Sequence, residues 1–204
     1  MSEPVKDEQF SQHELNDRLS LIEGMIAEGR HTTGRWGWAF TLWGLAYLIA
    51  FAWMAWNGSS WAWPVTMDAG TLATIAIASR RIDGAASTIL GRAIGALWMA
   101  TGISMFLLFL VLGFTGRLTD PHIFAATLAA ILGLANGASA MMLRWRVQLT
   151  CALVWWAAAV AACFGSNTQS MAVLIAAIVL CLVVFGIYTS IAESRHRSHA
   201  SAHA

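Results

Sequence analysis

Six long apolar stretches, separated by short polar segments, dominate the chain. They cover residues 36–56, 61–79, 93–114, 121–143, 147–164 and 171–192. None contains Lys or Arg, and only one contains an acidic residue, Asp68. Each is close to the roughly 20 residues that a helix needs to cross about 30 Å of hydrocarbon. Because lipid cannot satisfy backbone polar groups, the pattern predicts six transmembrane helices.

The segments between these stretches are too short to hold further domains. The first, 57–60, reads Asn-Gly-Ser-Ser and has the composition of a tight turn. Short links of this kind force consecutive helices to run antiparallel. The predicted fold class is therefore all-α, a polytopic membrane protein. Its transmembrane domain, 31–194, is expected to be a six-helix bundle made of three antiparallel hairpins.

The N-terminal segment, 1–30, has a different pattern. Ser11 and Glu14 have the spacing of a helix capping box, and apolar residues then recur at helical intervals. These residues are Leu15, Leu19, Ile22 and Ile26. The segment also holds seven of the eleven acidic residues of the chain. We predict an acidic amphipathic helix over about 12–28, which contacts either the arginine-lined cytoplasmic face of the bundle or a partner protein.

The composition supports a membrane location. Hydrophobic residues make up 58% of the chain and charged residues only 11%, whereas a soluble domain carries about 25% charged residues. So few charges could not cover the surface of a water-soluble globule of this size. The lipid bilayer is therefore the first expected partner. The net charge of +1 gives no reason to expect a nucleic-acid partner.

The basic residues orient the predicted bundle. With six spans, eleven of the twelve Lys and Arg residues lie on the side of the N-terminus, and only Arg117 lies on the other. Because cytoplasmic loops are the ones enriched in Lys and Arg, both termini are predicted to be cytoplasmic, with 195–204 as a disordered tail. The use of Arg in place of Lys and the abundance of Ala indicate a bacterial protein, and hence the bacterial inner membrane.

Small residues predict close helix packing. Gly133 and Gly137 form a GxxxG pair in the stretch 121–143, and small residues at this spacing let two helix backbones approach closely in lipid. Gly95 and Gly102 share a face of the stretch 93–114 and are a candidate mate. Packing within the bundle and contact with a second copy are both compatible with these glycines.

Three polar residues form a candidate intramembrane site. Asp68 lies one to two turns inside its stretch, and a carboxylate at that depth is costly unless it is paired, hydrated or protonated. His122 is expected at a similar depth, so the two side chains could pair. Asn136 needs a hydrogen-bond partner on another helix. The alternative for Asp68 is a hydrated position near a helix start, stabilised by the helix dipole.

The sequence carries no recognisable enzymatic motif, and we do not predict an enzyme, a cofactor or a metal site. Its three cysteines, Cys151, Cys163 and Cys181, are interpreted as small apolar packing residues. The leading hypothesis is a small inner-membrane protein that interacts with or regulates a membrane partner, or forms a homo-oligomer. The alternative is a transporter or channel for ions or small solutes that uses Asp68.

Overall fold

The computed structural model describes residues 5–59, 61–80, 89–115 and 120–202, and every regular element within those ranges is helical. A π-helical turn at Val179–Val184 joins the last two helices into one rod. The helices are α1 Val5–Arg35, α2 Gly37–Asn57, α3 Ala62–Arg80, α4 Ile89–Phe114, α5 Pro121–Leu143, α6 Arg146–Phe164, α7 Asn167–Ile178 and α8 Phe185–Ala202.

Five segments of the described chain are long and apolar enough to cross a membrane. They are α2, α5, α6, the part of α4 up to Leu112, and the rod Asn167–Arg195. The prediction of a multi-pass helical membrane protein is thus confirmed. The helix α3 falls below the hydropathy of the others because it carries Asp68 together with Thr66, Thr71 and Thr74.

The helix α3 nevertheless lies antiparallel along the whole of α2. Near one end, the rings of Phe51 and Trp63 meet edge to face with their centroids 5.0 Å apart. In the middle, Gly70 lies beside Ala46. Near the other end, Ile77 and Trp38 line one groove. The two helices therefore lie side by side over nearly their full length.

The described arginines of the bundle gather at one end. The second half of α1 crosses this end, where Gly29 lies beside Leu90 at the start of α4 and Leu143 at the end of α5. The same end holds Glu193 of α8, which lies near Gly34. We call it the arginine end; its arginines are Arg80, Arg92, Arg144, Arg146 and Arg195. The two other arginines of the predicted loops, Arg81 and Arg117, lie outside the described residues.

The pair of α5 and α6 forms the centre of the core. Gly133 and Gly137 accommodate the indole ring of Trp156, and a Cβ atom at Gly137 would lie 2.8 Å from that ring. Trp155 and Leu128 are fully buried beside this contact. The GxxxG pair therefore packs within the bundle, against a large side chain of α6 and not against the glycines of α4.

A second close contact joins α2 to the last rod. Gly37 and Gly186 face each other, and a Cβ atom at Gly186 would lie 2.7 Å from the Gly37 carbonyl oxygen. About two turns further along α2, Gly44 faces Val183 of the π-helical turn. Thr41 lies between these two contacts. This stripe of small residues brings the first and last spans of the bundle together.

Two helices are longer than the sequence predicted. The helix α1 covers Val5–Arg35, beyond the predicted 12–28, because its glycines sit within an otherwise helix-favouring stretch that contains no proline after residue 4. The helix α8 reaches Ala202, through most of the tail for which disorder was predicted. No glycine or proline interrupts the chain after Gly186, so nothing local stops this helix.

Candidate functional site

The first half of α1 carries an apolar stripe that no other part of the described chain covers. Residues 14–24 are all exposed, and Leu15, Leu19 and Ile22 expose 56%, 56% and 48% of their surface. Arg18 and Glu14 form an ion pair of 2.6 Å on an adjacent face. Contacts of α1 with the bundle begin near Met25 and centre on the buried Gly29 and Thr33. The stripe therefore projects beyond the bundle.

The helix α4 is the least covered of the membrane-spanning helices. It packs on α5 and on α1, and the Trp98 indole donates a hydrogen bond of 3.1 Å to the buried hydroxyl of Ser139. Gly95 and Gly102 are exposed, and a Cβ atom at either position would meet nothing within 4 Å. These two glycines have no mate among the described residues.

Asp68 lies on the exposed face of α3. Its carboxylate has no hydrogen bond or ion pair with any residue that the structure describes, and six residues separate it from Ala62, about 9 Å along the helix. The face of α3 opposite Asp68 is the one that packs on α2, through Trp63 and Gly70. Asp68 therefore points away from the bundle.

His122 closes the end of a neighbouring helix. Its Nδ1 lies 2.8 Å from the Ala162 carbonyl oxygen and 2.8 Å from the Ser170 hydroxyl oxygen, while Ser170 itself donates to the same carbonyl at 2.8 Å. The carbonyl of Ala162 is one of the last four of α6, which have no partner within their own helix. Because a carbonyl only accepts, Nδ1 carries a hydrogen and donates. His122 and Ser170 thus cap α6 together.

Local sequence explains how the two capping residues are placed. Asp120 is the N-cap of α5, where its side chain accepts a hydrogen bond of 2.9 Å from the His122 backbone N–H, and Pro121 starts the helix. Ser166 forms a capping box with Gln169 at the start of α7. A side chain at or next to the first residue of each helix therefore fixes where α5 and α7 begin. His122 and Ser170, both in the first turn of their helices, thus come into contact.

Asn136 is fully buried at a different depth. Its Nδ2 donates to the Leu132 carbonyl at 2.9 Å, and its Oδ1 has no partner in the described part of the chain. Fourteen residues of α5 separate Asn136 from His122, which is about 21 Å along the helix. The three residues of the candidate polar site are therefore not brought together.

The structure adds a buried residue that the sequence pattern did not single out. Gln148, in the first turn of α6, is fully buried, and neither its carboxamide oxygen nor its nitrogen has a partner among the described residues. The Trp155 indole N–H, two turns further on the same face, is likewise unpartnered there. In the sequence, Gln148 follows an arginine-bearing turn and is typical of an exposed helix start. Only the packing of α6 against its neighbours reveals that Gln148 is buried.

The residues that the structure describes hold no group of three or more His, Cys, Asp or Glu side chains that could bind a metal ion. Cys181 donates a weak hydrogen bond to the Cys151 carbonyl at 3.6 Å, and both thiols are free and buried. These two cysteines link α6 to the π-helical turn as small packing groups.

Comparison with known proteins gives no family assignment. The chain matches no protein-family model, no curated protein and no solved structure.

Proposed function

We propose that this chain is a multi-pass protein of a bacterial inner membrane that works by binding a membrane protein partner, and not by catalysis. The observation that carries the proposal is the uncovered stripe of Leu15, Leu19 and Ile22 on the projecting half of α1. An apolar stripe at this spacing is the face with which a helix binds a groove or another helix. Its exposure leaves that face available to a partner.

The charges beside the stripe favour a protein over a lipid surface. Glu14, Asp17 and Glu23 lie on the same exposed half of α1. Helices that bind membrane surfaces are usually rich in Lys and Arg, because the cytoplasmic leaflet is anionic. An acidic helix is repelled by such a surface. We therefore expect the partner to present a basic rim around an apolar groove.

The helix α4 provides a second surface, within the membrane. Gly95 and Gly102 leave open space on its outward side, and small residues are typical of transmembrane helix interfaces. We infer that a transmembrane helix of the partner, or of a second copy of this chain, packs there. The partner would then be held both in the membrane and at the projecting helix.

The proposed topology has six spans and two cytoplasmic termini. The helix α3 would supply the sixth span, and two observations support this. It lies along the full length of α2, and it ends at Arg80, at the end that carries the other described arginines. Asp68 would then lie near the opposite surface, where water and headgroups can hydrate it.

Transport through an Asp68 site is the less supported function. Asp68 is exposed on the outside of α3, His122 caps α6, and Asn136 lies about 21 Å from His122 along α5. A polar path needs these groups on one water-accessible route.

Photocrosslinking in membranes tests the proposed function. A photoreactive residue at Leu19 should capture a specific membrane protein, because Leu19 is in the middle of the stripe. The matched control is Leu21, which is 65% exposed but lies about 100° around the helix from Ile22, the nearest residue of the stripe. Equal labelling from both positions, or none from either, would contradict the proposal.

A further inference from the structure

A groove of about 500 Å³ opens on the side of the bundle between α2, α3 and α8. This is within the range of about 300–1,000 Å³ that is typical of small-molecule sites. The groove lies in the half of the bundle nearest the arginine end. Its apolar walls come from Trp38, Leu42, Ile77, Ile187 and Ile191.

The hydroxyl groups that line the groove donate to carbonyl groups of their own helices. Thr41 donates its hydroxyl hydrogen to the Gly37 carbonyl at 3.4 Å, and Ser190 donates to the Gly186 carbonyl at 2.8 Å. Ser194 donates to Ile191 in the same way, at 2.8 Å. With these hydrogens directed into the helices, the walls favour a hydrocarbon chain over a polar solute.

Two arginines follow the groove residues along α3 and α8, toward the arginine end. Arg80 follows Ile77 by three residues on α3, and Arg195 follows Ile191 by four residues on α8. Residues three and four apart share a helix face, so both arginines continue the groove walls toward the arginine end. Both are exposed. The apolar walls of the groove therefore end near two cationic side chains.

We propose that the groove binds one anionic phospholipid, with an acyl chain between α3 and α8 and the phosphate group between Arg80 and Arg195. A guanidinium can donate two parallel hydrogen bonds to phosphate oxygens. Trp38, in the first turn of α2, lies where indole rings meet lipid headgroups. The site belongs to the leaflet at the arginine end and does not depend on the proposed partner.

Native mass spectrometry of the full-length protein released from mixed vesicles tests the headgroup contact. The wild-type chain should retain phosphatidylglycerol in preference to phosphatidylcholine. Arg80→Gln and Arg195→Gln should each weaken that preference by about fivefold, the loss expected for one basic residue near an anionic lipid. The matched control is Arg92→Gln, an exposed arginine of the same end on α4, which should leave the preference unchanged.

A groove-filling variant tests the acyl-chain contact separately. Ile187→Trp should lower retention of both lipids, whereas Leu153→Trp, at an exposed apolar position of α6, should not. The proposal is overturned if the wild-type chain shows no anionic preference, or if Arg92→Gln matches the two groove arginines. Displacement of the lipid by inorganic phosphate alone would also overturn it, because it would identify a phosphate site without a chain.

Discussion

Individual buried polar residues reveal most about how this bundle is held together. His122 and Ser170 supply donors to a carbonyl that α6 cannot satisfy itself. Gln148 has the opposite effect on stability, because its amide is fully buried with no partner among the described residues. An unsatisfied buried group costs about 1–3 kcal/mol. The first pair should therefore stabilise the fold, and Gln148 should weaken it.

Ser170→Ala should lower the free energy of unfolding by about 1 kcal/mol, the net worth of a typical hydrogen bond. Reversible unfolding in detergent micelles measures this change. The control is Ser79→Ala, since Ser79 is exposed and, within the described part of the chain, donates only to the Ala76 carbonyl of its own helix. A loss of equal size in both variants would argue against a special role for the α6 cap.

Gln148→Leu should raise the unfolding free energy by about 1 kcal/mol, because it removes an amide whose desolvation is uncompensated. Gln148→Ala should lower it, because the smaller side chain leaves a cavity. The contrast separates polarity from volume. Destabilisation by Gln148→Leu would show that the amide has a partner, such as an ordered water, that the variant loses.

At the scale of elements, close glycine contacts decide which helices are neighbours. Gly37 and Gly186 bring α2 and α8 together, whereas Gly95 and Gly102 on α4 face open space. A methyl group has opposite consequences at the two kinds of position. In the Gly37–Gly186 contact the methyl group must push two helix backbones apart. On the open face of α4 its only effect is to restrict the unfolded chain.

Gly186→Ala should destabilise the bundle by about 1–3 kcal/mol, the usual cost of overpacking. The added Cβ atom would lie 2.7 Å from the Gly37 carbonyl. Gly95→Ala should be neutral or stabilising by up to about 1 kcal/mol through helix propensity. Thermal unfolding of both variants in the same detergent checks the pair. Equal destabilisation of the two variants as monomers would contradict an open face at Gly95.

At the scale of the whole molecule, local signals in the sequence predicted the helices well. The predicted stretch 121–143 coincides with α5, because Asp120 and Pro121 define its start and a continuous apolar run defines its length. The stretch 36–56 differs from α2 by one residue at each end. Apolar length and helix caps are properties of neighbouring residues, so the sequence alone reveals them.

Contacts between distant residues could not be predicted in the same way. The GxxxG pair indicated close packing, but not that the indole ring of Trp156 would fill the space it leaves. The similar depth of His122 and Asp68 allowed a pair between them, whereas the partner of His122 is Ser170, 48 residues away. Many pairings satisfy the same small-residue and polar patterns, and only the assembled bundle selects among them. The exposure of the stripe on α1 likewise depends on where the bundle ends.

We propose a six-span bundle whose arginine end and two termini face the cytoplasm. The test starts from a chain whose three native cysteines are replaced by alanine. Single cysteines are then placed at Asn57, Thr168 or Ser20, which are all exposed. A membrane-impermeant maleimide applied to intact spheroplasts should label the Asn57 and Thr168 positions, and should label Ser20 only after permeabilisation. If α3 does not cross the membrane, the Asn57 and Thr168 positions fall on opposite sides of it. Labelling of only one of them in intact spheroplasts would contradict the six-span bundle.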